Sequence, residues 1–132
     1  MPLPPDSCYY AFDVYQDMMD FLNSFFPLAG VTGHASVMDL GVEVPSVRAD
    51  IALLLKTLPC LELIDKGRSL HLMQQINARH LVVSYPKRSL SGKSKGMAAN
   101  YDQQFRDLIK STGWDFERLD FPHELAFVIT KE

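Results

Sequence analysis

Apolar segments of two different periodicities alternate along the chain, and this alternation constrains the fold more than any other feature of the sequence. Nearly continuous apolar runs, typical of buried strands, occupy residues 8–12, 34–38, 50–56 and 80–85. Segments with helical spacing lie at residues 14–28, 61–77 and 97–110, and the chain ends in two apolar stretches, 114–121 and 124–130, that indicate an antiparallel strand pair. The order β-α-β-β-α-β-α-β-β predicts one open α/β sheet, mostly parallel with a C-terminal antiparallel strand and right-handed crossovers.

The apolar positions within the predicted helices indicate which face each helix buries. In the first helix the inward stripe is predicted to be Val14, Met18, Phe21, Leu22 and Phe25. In the second, a single helix over 61–77, the inward residues are predicted to be Leu63, Leu70, Met73 and Ile76. Both helices are therefore expected to pack an amphipathic face on the sheet.

Length and composition limit the class of protein. The chain has 132 residues, 47% of them hydrophobic and 22% charged, which is typical of one globular domain covering residues 1–132. Cys8 and Cys60 lack the spacing of a zinc site, and the four histidines show no ligand pattern, so no metal is expected. Residues 1–8 do not resemble a signal peptide, and no apolar run approaches the roughly 20 residues of a membrane span. We therefore expect a soluble cytoplasmic protein.

Two acidic residues follow predicted strands, at positions where open α/β sheets bind their ligands. Asp13 ends the first strand and Asp39 the second. An ionised carboxylate accepts two hydrogen bonds at once, which suits the two hydroxyls of a ribose. The structural alternatives are a helix N-cap for Asp13 and a loop-opening Asx-turn for Asp39. Two such carboxylates on neighbouring strands favour a nucleoside pocket.

The most basic stretch of the chain, SYPKRSLSGKSKGM, follows the buried run at 80–85. It contains Lys87, Arg88, Lys93 and Lys95 in a protein of formal net charge −3. This concentration of positive charge predicts that a negative ligand docks there. The alternative is a flexible, solvated loop with no ligand.

The blocks YYAFDV, VMDL, DIALLLKTLPCLE, LVVSYPKRSLSGKSKGMAANY and FPHELAFVI together resemble a known family. They are similar to the successive signature blocks of the aminoglycoside-resistance 16S rRNA (guanine-N7) methyltransferases of the ArmA and Rmt type. The resemblance runs from about residue 2 to the last strand, and the basic stretch is its most specific element. It implies a Rossmann-like class I methyltransferase that uses S-adenosyl-L-methionine and acts on 16S rRNA in the 30S subunit.

The resemblance also implies a role for individual residues. Asp13 would hold the ribose of the cofactor, Asp39 and Leu40 would meet its adenine, and Leu54 and Leu55 would border the methyl group. The catalytic residues would be Lys56, beside the transferred methyl group, and Ser84, Tyr85 and Pro86, which would shape the base pocket. Lys87, Arg88, Lys93 and Lys95 would bind RNA phosphates. Guanine N7 carries a free lone pair, so methylation there needs orientation and no general base.

The sequence departs from that family at its start. The first strand and its glycine-rich turn, expected to approach the methionine part of the cofactor, do not precede residues 8–12, and neither does an RNA-binding domain. Weak cofactor binding and exposed sheet edges that permit self-association are the expected consequences. Three interpretations stay open: a methyltransferase, a noncatalytic remnant that retains RNA or partner binding, and an unrelated flavodoxin-like or receiver-like domain with a solvated basic loop.

Overall fold

The alternation of strands and helices is confirmed by the structure, a computed structural model that describes residues 6–65, 67–87 and 97–131. The strands are β1 (Cys8–Asp13), β2 (Thr32–Val37), β3 (Arg48–Leu55), β4 (Asn77–Pro86), β5 (Asp115–Asp120) and β6 (Glu124–Thr130). The helices are α1 (Gln16–Leu28), α2 (Leu58–Ile64), α3 (Arg68–Gln75) and α4 (Met97–Ile109). Within the described residues, none of these helices is long and apolar enough to cross a membrane.

The chain divides into two compact units, Met1–Pro45 and Ser46–Glu132. The first contains a two-stranded parallel sheet of β1 and β2, and the second a four-stranded sheet in the order β3-β4-β6-β5. In the four-stranded sheet β3 and β4 are parallel, whereas β6 is antiparallel to both β4 and β5. The α/β class and the C-terminal antiparallel pair are confirmed. The expectation of one sheet is wrong for the described strands, because they pair separately within each unit.

In the first unit, α1 packs on the two-stranded sheet through a small core. Met19 and Phe26 of α1 and Ala35 of β2 are buried together. The amide side chain of Asn23 donates to the carbonyl oxygen of Ala35 and accepts from its N–H, both at 2.8 Å. The predicted inward stripe is therefore wrong for most of its positions, because α1 is apolar on two faces and buries Met19 and Phe26, while Phe21 is 65% exposed.

In the second unit, α4 covers one face of the four-stranded sheet. The side chains of alternate residues on β4 and β6 point to that face and are fully buried, namely Leu81, Val83, Leu125, Phe127 and Ile129. The ring of Phe105 on α4 stacks on that of Phe127, with centroids 3.8 Å apart. Phe105 and Phe127 make up the aromatic centre of the core.

The predicted helix over 61–77 is two helices. α2 ends at Ile64, α3 begins at Arg68, and Gly67 lies at the N-cap of α3. Because Asp65, at the C-cap of α2, has an extended backbone, the helical phase does not continue from α2 into α3. Met73 is fully buried as predicted, but Leu63 is 89% exposed, so its predicted inward position is wrong.

Candidate functional site

Asp13 and Asp39 lie at the same end of the parallel strand pair β1 and β2. Asp13 is the last residue of β1, and its backbone carbonyl accepts a 2.9 Å hydrogen bond from the N–H of Met38, next to Asp39. One carboxylate oxygen of Asp13 accepts from the N–H of Val14 at 2.7 Å. Since the N-cap of α1 is Tyr15, the N-cap interpretation of Asp13 is wrong. Its second carboxylate oxygen has no hydrogen-bond partner among the described residues.

Asp39 opens a tight turn. Its carboxylate accepts from the N–H of Gly41 at 2.8 Å, and its carbonyl accepts from Val42 and Glu43 at 3.1 and 2.9 Å. This geometry confirms the Asx-turn interpretation. The turn leaves the exposed Asp39 side chain and half-buried Leu40 at the carboxyl end of β2. Both acidic residues can therefore offer an oxygen to a ligand with several hydroxyl or amino groups.

In the second unit, Lys56 and Ser84 are in direct contact where β3 ends beside β4. Lys56 has a φ of 55°, in the left-handed region that costs a non-glycine residue about 1–2 kcal/mol. Its N–H donates to both the hydroxyl and the carbonyl oxygen of Ser84, at 3.0 and 3.1 Å. Its ammonium forms an ion pair with Glu124 of β6 at 3.0 Å. The strained backbone and the ion pair together place the exposed Lys56 side chain at the strand end.

Tyr85 belongs to the core of the second unit. Its ring is 2% exposed and stacks on that of Tyr101 of α4, with centroids 4.8 Å apart. Burial, followed by the nearby Glu62, raises the pKa of the Tyr85 phenol far above its usual value, so the phenol stays protonated. Tyr85 therefore offers no accessible ring surface to a base. Instead, its ring packs between β4 and α4. Leu54 is likewise buried, whereas Leu55 is 55% exposed and Pro86 half-buried.

Lys87 is half-buried and contacts two partners on the β5–β6 hairpin. Its ammonium lies 3.1 Å from the carboxylate of Asp120, and its N–H donates to the carbonyl oxygen of His123 at 3.0 Å. Arg118 donates to both carboxylate oxygens of Asp120 at 2.9 and 3.0 Å, and to Asp102 of α4 at 2.9 Å. A phosphate would thus have to compete with Asp120 for Lys87. The other predicted phosphate contacts, Arg88, Lys93 and Lys95, lie outside the described residues.

The ion pairs of Asp120 predict a specific dependence of stability on pH. Hydrogen bonds from Arg118, then from Lys87, lower the pKa of Asp120 from an ordinary 3.8 to about 2. Because the folded-state pKa is the lower one, the stabilisation is complete above the ordinary value and is lost as pH falls from about 4 to about 2. We expect the thermal unfolding midpoint to fall less over this range in Asp120→Asn than in the parent.

Circular dichroism melts between about pH 5 and pH 2 would measure this difference. The matched control is Asp115→Asn, an exposed carboxylate on the same strand, which should keep the pH dependence of the parent. Parallel curves for the parent and Asp120→Asn would contradict the prediction.

Comparison with known proteins connects these features to a family. A family model described as ribosomal RNA methyltransferase (FmrO) matches residues 1–128. The chain belongs to this family. The resemblance to the ArmA and Rmt type is thereby confirmed.

Members of the FmrO family and their relatives are similar over nearly the whole of this chain. A 16S rRNA (guanine(1405)-N(7))-methyltransferase from Micromonospora rosea is 37% identical over 131 residues, 99% of this chain but 48% of that protein. The crystal structure of the 16S rRNA methyltransferase RmtF in complex with S-adenosyl-L-homocysteine matches with a TM-score of 0.85 and 30% identity. That match covers 93% of this chain and 47% of RmtF, and it confirms the Rossmann-like methyltransferase fold class.

The chain thus spans about half the length of these two relatives. A much shorter protein is also similar, an uncharacterised 10.9 kDa protein from the fmrO 5′ region of Micromonospora olivasterospora. It is 31% identical over 86 residues, which make up 87% of its length. Similarity to this part of the FmrO family therefore occurs in short chains as well as in long ones.

The partners of the two lysines were not predicted from the sequence. These partners lie in the C-terminal strand pair and are Glu124, Asp120 and Arg118. The periodicity predicts strands in that segment but no functional residues. The FPHELAFVI block contains Glu124, so the resemblance includes this residue but assigns it no role. The only local signal is an acidic residue beside a hairpin turn, which is too common to indicate an ion pair.

Proposed function

We propose that this chain binds S-adenosyl-L-methionine and transfers its methyl group to N7 of a guanine in the decoding site of 16S rRNA, in the 30S subunit. Methylation there would reduce aminoglycoside binding and so confer resistance. Both units are proposed to be parts of one catalytic domain, since the family match is continuous over residues 1–128.

The observation that carries the proposal is the pair of carboxylates at one end of β1 and β2. A nucleoside presents two adjacent ribose hydroxyls and the amino edge of its base, all of which donate hydrogen bonds to carboxylate oxygens. Asp13, with one carboxylate oxygen free of partners among the described residues, fits the ribose. Asp39 and the backbone of Leu40 fit the adenine edge. The residues present therefore suit the nucleoside half of the cofactor.

The bound cofactor would supply an electrophilic methyl group, and residues of the chain would orient the target base toward it. Because guanine N7 has a free lone pair, no side chain has to remove a proton. The hydrogen bonds from the Lys56 N–H to Ser84 hold the ends of β3 and β4 together. The Lys56 ammonium, held by Glu124, and the exposed Leu55 side chain lie at this strand end, where they would orient the base and exclude water.

Cofactor binding and methyl transfer are tested separately. Calorimetric titration of the 132-residue chain with S-adenosyl-L-methionine measures the first, and transfer of a radiolabelled methyl group to purified 30S subunits measures the second. Both cofactor binding and methyl transfer are the expected results. RNA binding without either activity would support the noncatalytic alternative, and binding of neither cofactor nor RNA would exclude the proposal.

A second test concerns the phosphate contacts. Each phosphate contact makes the logarithm of the affinity fall with the logarithm of the salt concentration, with a slope of about −0.7 to −0.9 per contact. Removing three contacts in the triple variant Arg88→Gln, Lys93→Gln, Lys95→Gln should flatten the slope for 30S subunits by about 2 to 3. Lys87→Gln should change it much less, since Lys87 is paired with Asp120.

Filter-binding titrations at several salt concentrations give the slopes. Lys110→Gln, an exposed lysine at the end of α4, is the control for loss of one positive charge elsewhere. Equal slopes for the parent and the triple variant would show that the basic stretch is not the RNA contact.

A further inference from the structure

The ion pair between Lys87 and Asp120 joins two residues that are distant in the chain and adjacent in the second unit. Lys87 directly follows β4, and Asp120 is the last residue of β5. The Lys87 ammonium lies 3.1 Å from one carboxylate oxygen of Asp120, and the two side chains are 21% and 49% exposed. A positive charge at the end of β4 is thereby neutralised by a carboxylate that ligands in solution can reach.

Asp120 has a second cationic partner, which contacts both of its carboxylate oxygens. Arg118 donates from Nε to one oxygen at 2.9 Å and from Nη2 to the other at 3.0 Å, the two-pronged geometry typical of strong arginine–carboxylate pairs. The remaining terminal nitrogen of Arg118 donates to Asp102 of α4 at 2.9 Å, which fixes the guanidinium. Both oxygens of Asp120 therefore keep a charged donor when the Lys87 ammonium leaves. Lys87 is the exchangeable partner of Asp120.

The exchange requires movement of the Lys87 side chain alone. The N–H of Lys87 donates to the carbonyl oxygen of His123 at 3.0 Å, which holds the backbone of Lys87 against the β5–β6 hairpin. A lysine ammonium is a compact charge on a flexible four-carbon stem, so it can turn from one oxygen acceptor to another. A phosphate oxygen of RNA can thus replace the Asp120 carboxylate without disturbing the strands.

We propose that Asp120 limits sequence-independent binding of RNA at Lys87. This inference rests on the proposed function, because it concerns the RNA contact of the same domain. A free lysine attracts any phosphate chain, whereas a phosphate that approaches Lys87 first has to displace a carboxylate, and the ion pair that is lost offsets the contact that is gained. Contact with Lys87 therefore forms only where other contacts of the RNA hold a phosphate in reach, which makes Asp120 a specificity-determining residue.

The inference is tested with polyuridylate, a single-stranded RNA that presents no folded surface. Filter-binding titrations at several salt concentrations compare the parent with Asp120→Asn, in which the amide oxygen can still accept from Arg118 but the charge that neutralises Lys87 is gone. Each phosphate contact with single-stranded RNA contributes a slope of about −0.7, so the variant should show a slope steeper by about 0.7. At 0.1 M salt, one additional contact of this kind corresponds to about fivefold tighter binding.

Two further variants assign the change to the Lys87–Asp120 pair. The double variant Asp120→Asn, Lys87→Gln should return to the slope of the parent, because the lysine released by the first substitution is removed by the second. Glu117→Gln is the matched control, since it removes one exposed carboxylate from the same strand at a residue that does not contact Lys87. Its slope should equal that of the parent. Circular dichroism verifies that each variant is folded.

A second measurement needs no RNA. The rate at which an acylating reagent modifies Lys87 is followed by mass spectrometry of the digested protein. Because the ion pair shields the Lys87 ammonium, modification should be faster in Asp120→Asn than in the parent. Lys110, an exposed lysine that directly follows α4, is the internal reference and should react at the same rate in both proteins.

Four outcomes would overturn the proposal. They are equal slopes for the parent and Asp120→Asn, a steeper slope that persists in the double variant or appears in Glu117→Gln, equal rates of modification of Lys87 in the parent and Asp120→Asn, and no binding of polyuridylate by any of these proteins. Each of them leaves the proposed function to be judged by cofactor calorimetry and methyl transfer to 30S subunits. Conversely, a failure of methyl transfer leaves the slopes and the modification rates as the test of Asp120.

Discussion

Replacing Phe127 by alanine is expected to lower the free energy of unfolding of the Ser46–Glu132 unit by about 3–5 kcal/mol. Phe127 is fully buried, and its ring stacks on that of Phe105 at 3.8 Å and contacts Phe116 and Tyr85 edge to face at 5.9 and 6.2 Å. Alanine removes all three contacts and leaves a cavity between α4 and the sheet. Urea unfolding followed by circular dichroism measures the change.

Phe121→Ala is the matched control for the loss of one aromatic ring. Phe121 lies between β5 and β6 and is 50% exposed, so its replacement should cost much less than that of Phe127. If the two variants lost similar stability, the aromatic cluster would not be the centre of the core.

Replacing Asp13 by alanine is expected to weaken binding of S-adenosyl-L-methionine at least about tenfold. Hydrogen bonds to a charged group contribute about 1.5–3 kcal/mol, and a factor of ten corresponds to about 1.4 kcal/mol. The variant removes the carboxylate proposed to accept both ribose hydroxyls. Isothermal titration calorimetry compares the dissociation constants of parent and variant.

Asp17→Ala is the control that distinguishes a loss of cofactor binding from a change in local structure. Asp17 accepts a hydrogen bond from the next backbone N–H at 2.9 Å, as Asp13 does at 2.7 Å, but it lies in the first turn of α1. The control should therefore lose the same kind of local bond and keep the affinity of the parent. Micromolar binding of S-adenosyl-L-methionine that persists in Asp13→Ala would show that Asp13 does not contribute to the cofactor site.

Element type could be predicted from the sequence, because it depends on local periodicity. All six strands were placed within a few residues of their observed bounds, and Asp13 was correctly placed at the end of β1. The family could be identified for a related reason, since its signature blocks consist of consecutive residues. Which face of α1 is buried could not be predicted, because Met18 and Phe21 are as apolar as Met19 and Phe26.

The partners of the charged residues depend on contacts distant in the chain. The sequence by itself determined the α/β order, the family and the acidic residues at the strand ends, since each is a property of short segments. Only the tertiary structure decided that Lys87 pairs with Asp120, that Lys56 pairs with Glu124 and that the Tyr85 ring is buried. These outcomes follow from the antiparallel pairing of β4 with β6, which brings the hairpin beside the strand ends. No local pattern specifies that register, because it is set by the side chains that the two strands bury together.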